Sequence, residues 1–426
     1  MERINHATLL AVVGAVGLVA VVAMIAMWPG PRPLPEASEA QTTELLDATL
    51  LEVTPIEEAD TTGLPPGAVL VEVTARVEAT GETVRFETTD DTGNLYESGQ
   101  AVRLAQITQP DLPPTYFISD FRRSGPMIVL TALFIVAVLS FGRLQGARAL
   151  VGLALTFLLI VGFMIPAVLE GRSPLTVAVV GALLIMIVTL YLSHGFNAKT
   201  TAAVVGTSLA LIVTGVLAVV FVEAANFTGF ASEEARLANV EVGGLSLRGL
   251  LLAGIIIGGL GVLDDVTMSQ SSTVFQLHRA NPAAGFGQLL RGALAVGRDH
   301  IAATVNTLFL AYAGASLPLL ILFAGSPDGL GTVVTSETVA VEVVRTLVGS
   351  VGLIAAVPIT TALAAALVLG EPVRSTRARQ KSDHELQNDG RSLNTEDVVY
   401  STRPDDEEWE QRLRDAYRLP RNEEER

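Results

Sequence analysis

The sequence predicts a polytopic α-helical membrane protein with about eight transmembrane helices and a small extracytoplasmic β-domain between helices 1 and 2. Two observations lead to this fold class. The chain of 426 residues is 50% hydrophobic and only 17% charged, whereas a soluble protein carries roughly 25% charged residues. Its apolar residues are also concentrated in long uncharged blocks, which are typical of helices that cross a bilayer.

Eight blocks have the length of a spanning helix. Each contains about 17–23 residues, which suffices to cross ~30 Å of hydrocarbon at 1.5 Å per residue. Inside lipid the backbone must form helices or closed barrels, and blocks of such uniform polarity do not fit barrel strands. The predicted spans are Leu9–Met27, Pro126–Gly142, Ala149–Leu169, Leu175–Leu192, Thr201–Val222, Leu247–Leu263, Ala303–Ala324 and Leu347–Leu369.

The first block has two interpretations. Glu2, Arg3 and His6 precede it, in the way that charged residues precede the core of a secretory signal peptide. However, its apolar core is longer than the roughly 7–15 residues of such a peptide, and no clear Ala-x-Ala site follows it. We therefore expect an uncleaved N-terminal anchor.

The segment between the first two spans has strand-like composition. It contains four runs rich in Val, Thr and Leu that partly alternate in polarity, and turn residues such as Thr80-Gly81-Glu82 separate them. This pattern predicts a small antiparallel β-domain of four or five strands, barrel-like because so small an open sheet leaves its edges exposed. The alternative is a solvated loop. The predicted strands are Leu45–Thr54, Val69–Ala79, Thr83–Thr88 and Val102–Thr108.

Charge placement predicts the orientation. The net charge is −16, but basic residues lie close to the ends of apolar blocks. A cytoplasmic N-terminus puts Lys199 and Arg279 in inner loops and the acidic segment 223–241 outside, as the positive-inside rule requires. Arg122 and Arg123, on the outer side, count against this orientation. Eight spans then return the C-terminus to the cytoplasm.

Four domains follow from these patterns. The last of them is short of apolar residues, so it cannot bury enough surface to offset its ordering entropy. The domains are an N-terminal transmembrane anchor (1–28), the extracytoplasmic β-domain (29–121), a seven-helix membrane domain (122–370) and a disordered acidic cytoplasmic tail (371–426).

Several kinds of function are disfavoured. No basic aromatic stripe suggests nucleic acid as a partner, and there is no cysteine and no Gly-x-x-x-x-Gly-Lys phosphate loop. The five histidines are far apart and form no zinc pattern. Hydroxyl groups have no evident base partner. We therefore expect no metal, no cofactor and no enzymatic activity, and we expect the lipid bilayer as the main partner, with an envelope or cytoplasmic protein as a further one.

Asp264 and Asp265 close the sixth predicted span. Charged side chains are costly at membrane depth, so the pair indicates a proton, cation or substrate site. If the helix continues, Asp265 and Ser269 lie on one face together with Ser272 and Gln276, at spacings of i, i+4, i+7 and i+11. The alternative is that the two carboxylates mark the membrane boundary and are hydrated.

Glycines precede this pair. Gly254 and Gly258 form a small-xxx-small pattern, and Gly261 follows. Such residues let another helix approach closely, so the sixth span is expected at the centre of the bundle. Helix packing explains the pattern without any function.

The next segment, 281–299, has an amphipathic pattern in which Phe286, Leu289 and Ala293 share one face. It predicts a helix on the inner membrane surface, with a protein docking site as the alternative. Arg298 and Asp299 lead from it into the seventh span, where Asn306 requires a hydrogen-bond partner. Because Asn306 is near the start of that span, water is an alternative partner. We conjecture an ion pair between Arg298 and Asp264 or Asp265, and kinks at Pro318 and Pro358.

Two motifs together resemble a known family. The run 261–277 reads GVLDDVTMSQSSTVFQL, and the run 297–318 reads GRDHIAATVNTLFLAYAGASLP. They are similar to the YibE/F family of bacterial multi-span membrane proteins, over about Arg122 to Leu369. The resemblance implies a bacterial plasma-membrane protein with this arrangement of spans. It implies no activity and assigns no catalytic or binding residue.

The leading hypothesis is a permease or transporter of a small solute or ion. Asp264, Asp265, Arg298, Asp299 and Asn306 would then line or gate its inner mouth. The alternative is a non-transporting scaffold or sensor whose outer β-domain binds an envelope partner. An enzyme that acts on a lipid-linked substrate is a distant third.

Overall fold

The computed structural model describes residues 6–30, 42–56, 67–91, 95–109, 112–231, 233–325 and 329–370. The chain divides into a unit of Met1–Glu371 and a unit of Pro372–Arg426. The predicted tail, 371–426, lies outside the described residues, and so does most of the predicted turn 91–94. All that follows concerns the first unit.

The first unit is mostly helical, as predicted. Six of its helices are long and apolar enough to cross a membrane, or seven if a pair bent by 65° counts as one span. That pair is α8 and α9, which meet next to Pro318. The helices are α1 (His6–Ala26), α2 (Ser124–Leu159), a π-helical turn (Ile160–Met164), α3 (Ile165–Leu169), α4 (Pro174–His194), α5 (Ala198–Ala224), α6 (Glu233–Val242), α7 (Leu247–Ala280), α8 (Phe286–Ala315), α9 (Leu317–Ala324), α10 (Leu330–Thr335) and α11 (Glu337–Gly370).

The helical stretch from α2 through α3 is interrupted. It spans 46 residues, or about 70 Å at 1.5 Å per residue, which is more than twice the thickness of the hydrocarbon core. Arg143 leaves the helical region with φ 48° and ψ −130°, and Gly146 lies against the carbonyl oxygen of Val138 without room for a Cβ atom. The break falls at the boundary between the predicted spans Pro126–Gly142 and Ala149–Leu169.

Five antiparallel strands form the predicted β-domain, in the order β3-β2-β1-β4-β5. A bulge between Leu50 and Glu52 bends the long β1, and Phe86 of β3 lies 6.5 Å from Tyr116 of β5, ring centre to ring centre. Because β3 and β5 are not hydrogen-bonded neighbours in the strand order, the sheet is a half-barrel, not a closed one. The strands are β1 (Thr42–Pro55), β2 (Val69–Val77), β3 (Thr83–Asp90), β4 (Ala101–Thr108) and β5 (Thr115–Phe121); no strand was placed at β5 from the sequence.

Helices α5, α7 and α11 form the centre of the bundle. Gly206 of α5 lies against Thr360 of α11, and Gly352 of α11 lies against Thr214 of α5. At both positions an added Cβ atom would overlap the threonine side chain. The missing side chains therefore allow the two backbones to approach closely.

Helix α7 also packs against α4 and α8, which agrees with its expected central position. It continues to Ala280, well beyond the predicted end at Leu263. The helix predicted for 281–299 is not a separate one, because α8 is continuous from Phe286 to Ala315. Leu289 and Ala293 are buried against protein, so the amphipathic face covers the bundle. Helix α11 continues through Pro358 without interruption.

Side-chain contacts show which segments of the chain lie at each end of the bundle. At one end, Leu9 near the start of α1 packs in a cluster with Ala202, Leu289 and Leu367. Both ends of the described chain therefore lie at the same end of the bundle as the start of α5. At the opposite end, the ring of Trp28 stacks on Phe163 at 6.0 Å between centres.

Filling the contact between α5 and α11 should destabilise the protein. We expect Gly206→Val to lower the free energy of unfolding by about 1–3 kcal/mol, the usual effect of overpacking a core. Thermal unfolding in detergent, followed by tryptophan fluorescence, measures the change. Thr360→Ala should restore part of the loss in the double variant. The matched control is Gly14→Val, since Gly14 has open space around it; equal losses at both glycines would contradict the close contact.

Candidate functional site

Asp264 is half-buried on the side of α7 that faces Thr207 of α5. Its Oδ1 atom is fully buried and has no hydrogen-bond partner among the described residues. The side chain of Thr207 is its polar neighbour on α5. Thr207 is nine residues beyond the start of α5, or about 14 Å along the helix axis. The carboxyl group is therefore about as far from the end of the bundle as half the thickness of a hydrocarbon core.

Two hydroxyl groups adjoin Asp264. The Oγ1 atoms of Thr207 and Thr267 are 2.6 Å apart, and both residues are completely buried. Thr207 Oγ1 is also 3.0 Å from the carbonyl oxygen of Ala203, and Thr267 Oγ1 is 3.2 Å from the carbonyl oxygen of Asp264. Each hydroxyl has one proton, so the two protons serve three contacts. The pair can therefore switch the direction in which it donates.

Buried polar contacts continue from there toward the start of α5. Gln270 donates through Nε2 to the carbonyl oxygen of Ala293 at 2.7 Å and to Thr361 Oγ1 at 2.8 Å. One residue further on, Ser271 Oγ donates to the carbonyl oxygen of Lys199 at 2.8 Å. These groups form a column of polar side chains on one side of α7, which we call the polar column: Asp264, Thr267, Gln270 and Ser271, with Thr207 and Thr361.

Asp265 and Ser269 lie outside this column. Asp265 is exposed, because successive residues of a helix are 100° apart around its axis. Ser269 is partly exposed, and its hydroxyl donates to the carbonyl oxygen of Val266 at 3.0 Å within the same helix. The two adjacent carboxylates therefore have different environments, which the sequence did not distinguish.

The predicted residues of α8 are not gathered around Asp264. Arg298, Asp299 and Asn306 are all exposed on α8. None of the ion pairs in the described part of the chain involves Arg298, Asp264 or Asp265. The conjectured ion pair is therefore not formed within the chain.

Gly254 and Gly258 were expected to contact the backbone of a neighbouring helix, but they lie next to polar side chains of α11 and α8. A Cβ atom at Gly258 would lie 3.2 Å from Tyr312 Oη, and one at Gly254 would lie 4.0 Å from Arg345 Nη2. Nothing lies within 4 Å of the same point at Gly261. All three glycines are exposed.

A second polar cluster, next to these glycines, was missed from the sequence. Arg345 of α11 pairs with Glu342 at 2.9 Å, and its guanidinium carbon lies 6.0 Å above the centre of the Tyr312 ring. The Nε atom of Arg345 is buried without a partner among the described residues. The sequence contained one indication of this pair: Glu342 and Arg345 are three residues apart and therefore share a helix face.

The threonines of α5 were also missed. Thr200, Thr207 and Thr214 are completely buried and recur every seven residues, which places them on one face of the helix. This regular spacing inside an apolar block was the available signal.

Four cavities were found elsewhere. One of about 340 Å³ lies between the loops 168–174 and 243–246, and one of about 270 Å³ is lined by Phe309, Glu342 and neighbouring residues of α8 to α11. The other two, of about 620 and 510 Å³, have almost wholly apolar linings next to α1. Among the residues that the structure describes, no group of three or more acidic, histidine or cysteine side chains is placed to hold a metal ion.

Comparison with known proteins identifies the family. The sequence profile of the YibE/F-like proteins matches residues 130–370, which is more than half of the chain. The chain belongs to the YibE/F family. The match covers most of α2 and everything from there to α11, close to the range expected from the two motifs, whereas α1, the half-barrel and the tail lie outside it. No curated protein and no solved structure matches the chain.

Removing the hydrogen bonds of Gln270 should loosen α8. We expect Gln270→Ala to lower the free energy of unfolding by about 1–3 kcal/mol, because the change removes two buried hydrogen bonds and leaves a cavity. Thermal unfolding in detergent measures the effect. The matched control is Gln276→Ala on the exposed face of the same helix, which should change stability by less than about 0.5 kcal/mol. Comparable losses for both variants would contradict the assignment.

Proposed function

We propose that this chain is an ion-coupled permease in which the Asp264 carboxyl group binds and releases a proton or a small cation. The observation that carries the proposal is the burial of Asp264 Oδ1 at the depth of Thr207. An ionisable side chain in the interior of a membrane bundle is costly and indicates a functional site. Asp264 also has no cation beside it in the described structure.

The proposed orientation places both termini in the cytoplasm. The start of α1 and the end of α11 lie beside the start of α5. There the positive charges of Lys199 and Arg279 are close enough to repel each other. Positive charge is favoured on the cytoplasmic side. On this basis the opposite end, with the acidic first turn of α6, faces the exterior, together with the β-domain.

Eight crossings fit this orientation. Termini at the same side of a membrane require an even number of spans, whereas the long helices and the bent pair give seven. Counting the two halves of α2 separately, on either side of Arg143, gives eight. A length of about 70 Å supports two crossings.

The polar column offers a route between Asp264 and the cytoplasm. Its hydroxyl pair, Thr207 and Thr267, can reverse the direction of its hydrogen bonds, and Ser271 extends the column to the start of α5. A proton that leaves Asp264 toward the inside therefore meets acceptors along the column. Because these groups are closely packed, passage of a larger solute requires α5, α7 and α11 to separate, with the breaks at Arg143 and Ser316 as hinges.

A second candidate function has one observation in its favour. The centre of the bundle is tightly packed around Thr207 and Thr267, both of which are completely buried. A solid bundle suits a membrane scaffold or sensor, in which the half-barrel binds an envelope partner through its unpaired strand edges, β3 and β5. Flux measurements distinguish the two functions.

Asp264→Asn should abolish coupled flux. Under an imposed membrane potential, we expect liposomes with wild-type protein to take up protons or alkali cations faster than protein-free liposomes. The variant should reduce this rate at least about tenfold. A pH-sensitive dye and ion-selective dyes inside the liposomes measure the flux. Asn keeps the size of the side chain but cannot take up a charge.

The matched control is Asp265→Asn, which changes an exposed carboxylate by the same chemistry and should retain most of the flux. Wild-type liposomes that move neither protons nor alkali cations would overturn the permease proposal and leave the scaffold. Equal loss in both variants would overturn the role of Asp264.

The orientation is testable with single cysteines, because the chain has none of its own. We expect Glu97→Cys, on the exposed surface of the β-domain, to react with a membrane-impermeant maleimide in intact cells. Arg279→Cys, at the end of α7, should react only after the membrane is permeabilised. The reverse labelling pattern would contradict the proposed orientation.

A further inference from the structure

Helices α7 and α8 expose two stripes at membrane depth. Within each stripe the residues recur at i, i+4, i+7 and i+11, so each stripe lies on one face of its helix. All eight residues are exposed, although most of them are small or polar and not the large apolar residues that usually face lipid. The stripes are Gly254, Gly258, Gly261 and Asp265 on α7, and Asp299, Ala303, Asn306 and Leu310 on α8.

The two stripes have matching depths. Gly258 lies beside Tyr312, and Gln270 contacts Ala293, which fixes how the antiparallel helices align. By this alignment Asn306 lies within about one helical turn of the depth of Asp265. Arg298 follows Gly297, which lies against Gln270, so it is about one turn nearer the start of α5. Along the helix axis, the Asp265 carboxylate of α7 therefore lies between the levels of two donors of α8, Asn306 and Arg298.

These polar groups are not satisfied within the described chain. Asp265, Arg298 and Asn306 are exposed, and they take no part in the ion pairs or side-chain hydrogen bonds found among the described residues. Hydrocarbon offers no donor or acceptor, so an exposed carboxylate or amide at this depth requires a partner. Such a partner must present hydrogen-bonding groups at the same depth.

We propose that a second copy of this chain covers this surface, so that the hairpins of α7 and α8 form a two-fold dimer. A two-fold axis along the membrane normal keeps every residue at its depth, and its interface is self-complementary. Asp265 of each copy then accepts hydrogen bonds from the Asn306 amide and the Arg298 guanidinium of the other. Gly261 of α7, which has no other atom within 4 Å of its Cβ position, allows the helices to approach within reach of these short contacts.

The dimer does not depend on the proposed transport activity. Asp264 faces α5 inside each copy, whereas the interface uses an exposed face of α7 about 90° away around the helix axis. Loss of flux in Asp264→Asn with an unchanged dimer, or the reverse, would therefore separate the two proposals.

Self-association in lipid tests the proposal. Fluorescently labelled wild-type protein is reconstituted in liposomes at decreasing density, and energy transfer between copies gives the monomer–dimer equilibrium. We expect Asn306→Leu to weaken dimerisation at least about threefold, since interhelical hydrogen bonds in membranes have that effect. Gly261→Leu should weaken it further by separating the helices, because a side chain at this position meets no atom of its own chain. The matched control is Val216→Leu on the exposed apolar face of α5, which should leave the equilibrium unchanged.

Cysteine cross-linking locates the contact surface. In native membranes, Gly261→Cys and Ala303→Cys should form a covalent species of about twice 44.8 kDa on oxidation, and Val216→Cys should not. Energy transfer no greater than that of randomly distributed monomers would overturn the proposal. A dimer that cross-links only through Val216→Cys, or a stripe that cross-links only to a different protein, would overturn the assigned surface or the assigned occupant.

Discussion

The interface of α5, α7 and α11 depends on one constraint: a polar group buried among apolar helices must find its partner inside the protein. The threonines meet this constraint locally. Thr214 and Thr361 each donate to the carbonyl oxygen four residues earlier, so their hydroxyls are satisfied before another helix arrives. The hydroxyl of Thr360, in contrast, is buried without a partner among the described residues. Glycines opposite the threonines then let the helices close. The result is an interface with polar side chains in which only a few atoms, such as Asp264 Oδ1, are left without partners.

This arrangement divides the surface of α7 into two parts. One side of α7 contacts α4, α5, α8 and α11, while a narrow face with three glycines and Asp265 remains exposed. Since adjacent helical residues are 100° apart, Asp264 and Asp265 fall on different sides of this division. Two identical side chains that are neighbours in sequence therefore have different chemistry available: one is enclosed by protein, and the other is open to whatever covers the helix.

Composition and periodicity were sufficient for much of the fold but not for the site. The apolar blocks predicted the helices, and the alternating runs predicted four of the five strands. The continuation of α7 beyond Leu263 was left conditional because Val266–Ala280 is richer in polar residues than the preceding block. In the structure this segment makes buried contacts such as that of Gln270 with Thr361. The amphipathic start of α8 was placed on the membrane surface because lipid and a protein groove favour the same apolar face. Sequence alone does not distinguish the two.

Two groups of ionisable side chains lie beside or on α7 among the described residues: the Arg345–Glu342 pair of α11, and Asp264. They differ in whether the charge is compensated within the protein. Arg345 and Glu342 are held together at 2.9 Å and lie against Tyr312, so they form a neutral unit whose charges compensate each other. Breaking such a pair leaves an uncompensated charge and is strongly unfavourable. Asp264 has hydroxyl neighbours and no cation beside it in the described structure, so uptake of a proton or cation removes an unfavourable charge. Of the two groups, the carboxyl group of Asp264 is therefore the one to which we assign the proposed binding of a proton or small cation.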